Sequence, residues 1–139
     1  MKIVLFIVLI FSTLTAIEYE KSANIVSDKK HKLMWQDDEE VLEYLETYIS
    51  AEVYCDNLIL NGYIDWRVPS LNEMIYILDV SEKRAINKKF QYVKSDFYGT
   101  KSSFVEDDFY LWGIDFKTGI IKQGEKTKES YTRCVRDIL

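Results

Sequence analysis

Residues 62–73 read Gly62-Tyr63-Ile64-Asp65-Trp66-Arg67-Val68-Pro69-Ser70-Leu71-Asn72-Glu73, the densest run of structural signals in the chain. Gly62 frees a turn, the Trp66 indole calls for a buried site, and Pro69 sets the start of a helix. Ser70 with Glu73 three residues on is a capping box: each side chain satisfies a backbone N–H that the first helical turn leaves without a partner. Leu71, Met74, Ile75 and Leu78 then supply a buried stripe at helical spacing. Asp65 and Arg67 flank the indole. A shared salt bridge, or contacts to loop backbone, is the preferred reading of this pair over an active-site role.

On the N-terminal side, Tyr48, Ala51, Cys55 and Leu58 fall on one helical stripe, which predicts a first helix with Cys55 facing the core and Asn61-Gly62 ending it. Further back, Ile25-Val26 and Leu33-Met34-Trp35 bracket a polar segment and predict a strand-turn-strand opening. Between these lies a carboxylate run containing Asp37, Asp38, Glu39, Glu40, Glu43 and Glu46, expected to be a solvated loop or helix face because like charges stay in water. On the C-terminal side comes an irregular basic stretch with Lys83, Arg84, Lys88 and Lys89, after which the period changes to two. Tyr110, Trp112, Ile114 and Phe116 alternate, Lys117-Thr118-Gly119 turns, Ile120-Ile121 returns, and Tyr131 to Ile138 forms a last strand carrying Cys134. Strand, two helices, then antiparallel strands is the order of an α+β domain.

The chain has 139 residues, 47% apolar and 29% charged, with five Gly and one Pro. That is room for one globular domain and excludes collagen-like, linker-rich and disordered architectures. A net charge of −5 argues against nucleic acid as a partner, since such binding neutralises phosphates with clustered Lys and Arg. One His and two Cys do not make a zinc site of the usual kind.

Lys2, the unbroken apolar run Ile3 to Phe11 and the small-residue tail ending at Ala16 have the layout of a secretory signal peptide. Residues 1–16 are therefore expected to be removed, leaving residues 17–139 as a single domain with no membrane span. That places the protein in the periplasm, or secreted to the cell surface. Cleavage removes Lys2 and leaves 17 basic against 23 acidic residues, a charge of −6. In an oxidising compartment an even pair of cysteines is most simply a disulfide, so Cys55 and Cys134 are expected to be joined. Their wide spacing is unlike that of a redox couple.

Motifs along the chain also carry a resemblance. Leu33-Met34-Trp35-Gln36, Ala51-x-x-Tyr54-Cys55-x-x-Leu58, Gly62-Tyr63-x-Asp65-Trp66-Arg67-x-Pro69, Asn72-Glu73 and Ala85-Ile86-Asn87 follow in order. They are succeeded by Trp112-x-x-Asp115-Phe116-x-x-Gly119 and Tyr131-x-Arg133-Cys134-Val135-Arg136. Over about residues 25–137 the sequence resembles the Lcl C-terminal domain family, named for the end domain of a collagen-like bacterial adhesin. The resemblance implies a C-type-lectin-like fold, two helices packed on a twisted antiparallel sheet, with Cys55 and Cys134 as the family's paired cysteines. It implies structural roles for Trp35, Asp65, Trp66, Arg67, Pro69 and Trp112, and an extracellular adhesion or glycan-binding role. The chain departs from the family at Gly99, where Trp is expected, and carries no collagen-like repeats.

Candidate ligand-binding residues are the aromatics Tyr98, Phe104, Phe109 and Tyr110, in loops expected around residues 96–110, because such rings stack on sugars and anchor protein partners. Glu106, Asp107 and Asp108 offer the hard oxygens that calcium prefers. The sugar-binding triplets of calcium-dependent lectins are absent, and a solvated acidic loop is the preferred reading; no metal or cofactor is expected. His31 stands in a Lys-rich turn, expected to be exposed and unpaired, and no nucleophile elbow exists to recruit it. The function expected is an exported non-enzymatic module binding a polysaccharide or a protein partner at the cell envelope, with weak affinity for sulfated glycans given its acidity. A structural or accessory subunit of an envelope complex is the alternative.

Overall fold

The apolar run Leu33-Met34-Trp35 has no polar face because its sheet is covered on both sides. In the computed structural model, which describes residues 18–139, the first sheet has the order β1-β2-β3-β9 and is antiparallel throughout. Its strands are β1 (Tyr19–Ser22), β2 (Ile25–Asp28), β3 (Leu33–Gln36) and β9 (Val135–Asp137). Strand alternation sends Val26, Leu33, Trp35 and Val135 into one core and Ile25 and Met34 into another. The expected signal segment and its cleavage after Ala16 lie outside the described residues.

The first core is closed by α2 (Leu71–Ile77) and by a second sheet of order β4-β8-β5-β6-β7. This sheet comprises β4 (Leu45–Glu46), β5 (Phe97–Phe104), β6 (Asp107–Asp115), β7 (Ile120–Glu125) and β8 (Ser130–Tyr131). It is antiparallel except where β5 meets β8. Met74, Ile77, Phe90, Tyr98, Ile114 and Phe116 pack here against Trp35. The second core lies under α1 (Tyr48–Asn57), where Ala51 and Cys55 meet Met34, Trp66 and Val68. The fold is thus α+β, with two sheets where one was expected. Among the described residues no helix is long and apolar enough to cross a membrane.

Local signals worked as their physics requires. Ser70 Oγ accepts from the Glu73 N–H at 3.2 Å, and Glu73 Oε1 accepts from the Ser70 N–H at 2.9 Å, completing the capping box. The Lys117-Thr118-Gly119 turn closes on Asp115 O, with Gly119 at φ +78°.

Other expectations are corrected. Helix α1 ends at Asn57, before Asn61-Gly62. Asn61 (φ 51°) and Gly62 (φ 78°) instead form a two-residue turn across which Leu60 and Tyr63 exchange both backbone hydrogen bonds, the use for which an Asn-Gly pair is best suited. On α2 the core face centres on Met74 and Ile77, leaving Ile75 at its exposed rim. The C-terminal segment is not one strand. It crosses from the second sheet to the first, with Thr132-Arg133-Cys134 buried between β8 and β9.

Candidate functional site

Helix α1 departs from the usual surface pattern. An amphipathic helix presents charge to water opposite its buried stripe. Opposite Ala51 and Cys55, beside exposed Glu52 and Asp56, α1 also presents Ile49 and Val53, 72% and 56% exposed, and Ile59 just beyond the helix is 71% exposed. These side chains line a groove of about 570 Å³ between α1 and the segment containing the 3-10 helix Glu39–Leu42 and β4. Tyr44 and Tyr54 stack across it, ring centres 3.8 Å apart and planes 20° off parallel. A second hollow of about 360 Å³, lined by Thr47, Tyr48, Ile49, Lys126 and Thr127, continues past the start of the helix.

The groove is anchored to the core. Gln36 Nε2 donates to the Tyr54 hydroxyl at 2.8 Å and to Asp38 at 3.0 Å, while Gln36 Oε1 accepts from the Cys134 N–H at 3.1 Å. The Tyr54 hydroxyl donates to Glu40, and the Tyr44 hydroxyl donates to Ser50 O at 3.1 Å. Burial, then the Glu40 carboxylate, pushes the Tyr54 hydroxyl well above the usual phenol range. Burial likewise raises Tyr44, with Glu46 adding to it, and raises Asp38 against the opposing Gln36 amide. Both tyrosines therefore stay neutral at physiological pH, as two rings with committed hydroxyls.

The disulfide joins α1 to the chain crossing between the sheets: Cys55 and Cys134, 79 residues apart, are bonded with Cα atoms 5.6 Å apart. Their position ties α1 to the second core.

The aromatics expected to bind ligand are spread over different environments. Tyr98 is fully buried and is not a surface residue; its hydroxyl donates to Val41 O at 2.7 Å and accepts from the Lys94 N–H at 3.0 Å. Residues 97–104 and 107–115 are the paired strands of an antiparallel hairpin instead of long loops, with the register shifting between Gly99 and Phe104. On that hairpin Phe104 meets Trp112 edge-on at 5.4 Å, and exposed Phe109 meets Tyr110 at 5.3 Å. Gly99 is closely packed: an added Cβ would lie 2.9 Å from Ser130 Oγ and 3.4 Å from a Leu111 methyl, so a Trp there requires both side chains to shift. The carboxylates at the hairpin tip do not converge. Asp108 pairs with Lys126 at 2.7 Å, Asp107 accepts from the Phe109 N–H at 2.9 Å, and Glu106 points to solvent. Among the described residues no group of three His, Cys, Asp or Glu is placed to hold a metal ion.

Of the motif residues, Trp35, Trp66, Arg67 and Pro69 take architectural places and Asp65 does not. Trp35 and Trp66 are buried and Pro69 is buried beside the capping box. The Trp66 indole N–H donates to Tyr63 O at 3.0 Å. Arg67 does not pair with Asp65, which stands exposed at φ 65° on the far side of the turn. It grips Glu73 through two bonds of 2.6 and 2.7 Å and reaches Asp137 at 3.0 Å, tying α2 to β9. Burial alone would push the Glu73 carboxyl up, but Arg67 and the Ser70 N–H outweigh it and hold it below the usual range. His31 is not unpaired: its Nδ1 lies 2.7 Å from the buried Asp28 carboxylate and its ring stacks on Tyr76 at 3.6 Å. Trp66→Ala should cost about 3 kcal/mol of unfolding free energy, at the lower end of the range because the exposed turn before it can settle into the void. A chemical denaturation curve showing no loss would remove Trp66 from the core role.

A family model for the Lcl C-terminal domain matches residues 24–136. The chain belongs to the Lcl C-terminal domain family. No curated protein matches it. In this Lcl C-terminal domain the groove residues Tyr44, Ile49, Val53, Tyr54 and Ile59 were not singled out by sequence reading. The signal was nevertheless present: Ile49 and Val53 are four residues apart, on the side of α1 opposite the buried stripe.

Proposed function

We propose that this chain is an exported recognition module of C-type-lectin-like fold that works at the cell envelope and performs no catalysis. Family membership, two helices and two mostly antiparallel sheets support the fold reading. The cysteine pair and the apolar leader support export into the periplasm or onto the cell surface. The observation that carries the binding role is the apolar, tyrosine-lined groove on a helix pinned by the disulfide, a preformed surface with nothing of the described chain covering it.

The test is a screen of the full-length oxidised chain against glycans, cell-wall polymers and envelope proteins, beside the double variant Ile49→Ser/Val53→Ser. Saturable binding by the wild type, weakened about tenfold or more in a double variant that melts normally, is the expected result. Undiminished binding by the variant moves the site elsewhere. The accessory-subunit reading draws on a different feature, the free edge of β7 with Ile120 and Ile121 exposed.

A further inference from the structure

We infer that the α1 groove receives a cationic amphipathic segment of a protein partner, with its apolar stripe against Ile49 and Val53 and its Lys or Arg side chains against Glu40, Glu43 and Glu46. This rests on the recognition reading above and names the partner's chemistry.

Charge distribution carries the argument. Residues 33–66 contain nine Asp and Glu and no Lys, Arg or His, while the rest of the chain has 18 basic against 14 acidic residues. Asp37 alone among the nine is fully buried, and it is neutralised inside the protein by Arg133 and Lys21. The other eight are exposed or half-exposed, and among the described residues none is in an ion pair. Carboxylates elsewhere repeatedly have partners: Asp28 has His31, Glu73 and Asp137 have Arg67, and Asp115 has Lys122. Of these eight, Glu40 and Glu46 line the groove and Glu43 the hollow beside it, an acidic rim next to exposed Ile and Val that complements a partner bringing both apolar side chains and positive charge.

The same geometry disfavours a sugar. Tyr44 and Tyr54 cover one face of each other, their hydroxyls are already bonded, and the most exposed groups are aliphatic. It also disfavours an anionic lipid surface, which the carboxylates would repel. The ten residues of α1 span about 15 Å, room for roughly three turns of a helix laid alongside.

The probe is a fluorescent peptide of about 14 residues with Leu at helical a and d positions and Lys elsewhere, against a shuffled isomer of the same composition. Anisotropy with the full-length oxidised chain should show the amphipathic peptide bound about tenfold or more tighter than the isomer, weakening as salt rises from about 50 to about 300 mM. Ile49→Ser/Val53→Ser should lose about tenfold, and Glu43→Gln/Glu46→Gln should flatten the salt dependence. Val80→Ser and Val105→Ser, exposed apolar residues outside the groove, should change nothing. Equal binding of both peptides, no binding, or indifference to the groove variants overturns the inference. Groove-dependent binding of a neutral glycan without the peptide also overturns it, while leaving the recognition reading intact. Concentration-dependent self-association abolished by Val53→Lys would assign the groove to a second copy of the chain and overturn it too.

Discussion

Replacing Arg133 with methionine should cost about 3–5 kcal/mol, as expected when one member of a buried ion pair is removed and the other stays. Arg133 is fully buried although it is the longest charged side chain in the core. Its Nη1 donates to Gln36 O at 2.5 Å and to Asp37 at 3.2 Å, and its Nη2 donates to Tyr92 O. The guanidinium lies 4.9 Å from the Phe90 ring centre and 5.9 Å from that of Tyr98. Asp37 in turn accepts from the Gln91 and Tyr92 N–H groups at 2.9 and 3.0 Å and from Lys21. This cluster therefore fastens the end of β3, the irregular basic segment and the crossing between the sheets. Methionine would fill the volume but leave Gln36 O and Tyr92 O without their donor and the buried Asp37 carboxylate with Lys21 as its one remaining cation. Arg133→Met/Asp37→Asn removes the stranded charge and keeps one acceptor oxygen for one of the two loop N–H groups, while its NH2 opposes the other, so it should recover at most about 1 kcal/mol of the loss. Denaturant midpoints of the wild type and both variants measure this. A single variant as stable as wild type would show that the pair contributes nothing.

The same pair sets an acid limb. Burial alone would raise the Asp37 carboxyl, but the Arg133 charge, the two N–H bonds and Lys21 outweigh it and hold it below its usual range. A carboxyl depressed in the folded state contributes stability above its unfolded value, near pH 3.9, and loses it as pH falls toward the folded value. Wild-type stability should therefore drop below about pH 4, with Glu73 adding to the slope for the same reason. In Arg133→Met the largest of the lowering influences is gone, so Asp37 is held down less than in wild type and the deficit should narrow on acidification. A deficit independent of pH would count against a charge origin.

What could be read in advance was local. The capping box at Ser70 and Glu73, the hairpin at Lys117-Thr118-Gly119 and the buried stripe of Tyr48, Ala51 and Cys55 depend on residues a few positions apart. What could not be read depends on partners far along the chain. Asp37 belongs to a run of carboxylates that on average stays in water, and its burial is made tolerable by partners far along the chain: Arg133, 96 residues away, Lys21, and the Gln91 and Tyr92 N–H groups. Tyr98 looked like a loop aromatic until β6 and β8 are seen to flank it. Asn61-Gly62 suits either a helix end or a tight turn, and the choice falls to the turn because Leu60 must return to the second core. At the candidate site the apolar face of α1 was visible in the spacing of Ile49 and Val53. The stacked tyrosines were not, since Tyr44 and Tyr54 meet only once the 3-10 helix folds back on α1.

Cys55→Ser should lower stability by up to about 4–5 kcal/mol, the loop-closure value for a bridge spanning 79 residues. For a domain of about 120 residues that corresponds to a fall in melting temperature of up to about 16–20 °C. The effect should be selective in space. Cys55 and Cys134 lie in the second core with Ala51, Trp66 and Val68, away from the first core that α2 and the second sheet enclose. The crossing segment would still be held by Arg133 and by the backbone bonds that Arg67 exchanges with Val135. Without the bridge, α1 keeps only Ala51 and its partly buried neighbours Tyr48, Tyr54 and Leu58 against the core, while its outer face buries nothing. Hydrogen exchange on Cys55→Ser should accordingly show the largest loss of protection in α1 and the smallest in β5 and β6. Uniform loss would mean that the two cores unfold as one unit. An unchanged melting temperature would show that the bridge adds no stability, and α1 would then be held to the crossing segment by Gln36 through its bonds to Tyr54 and Cys134.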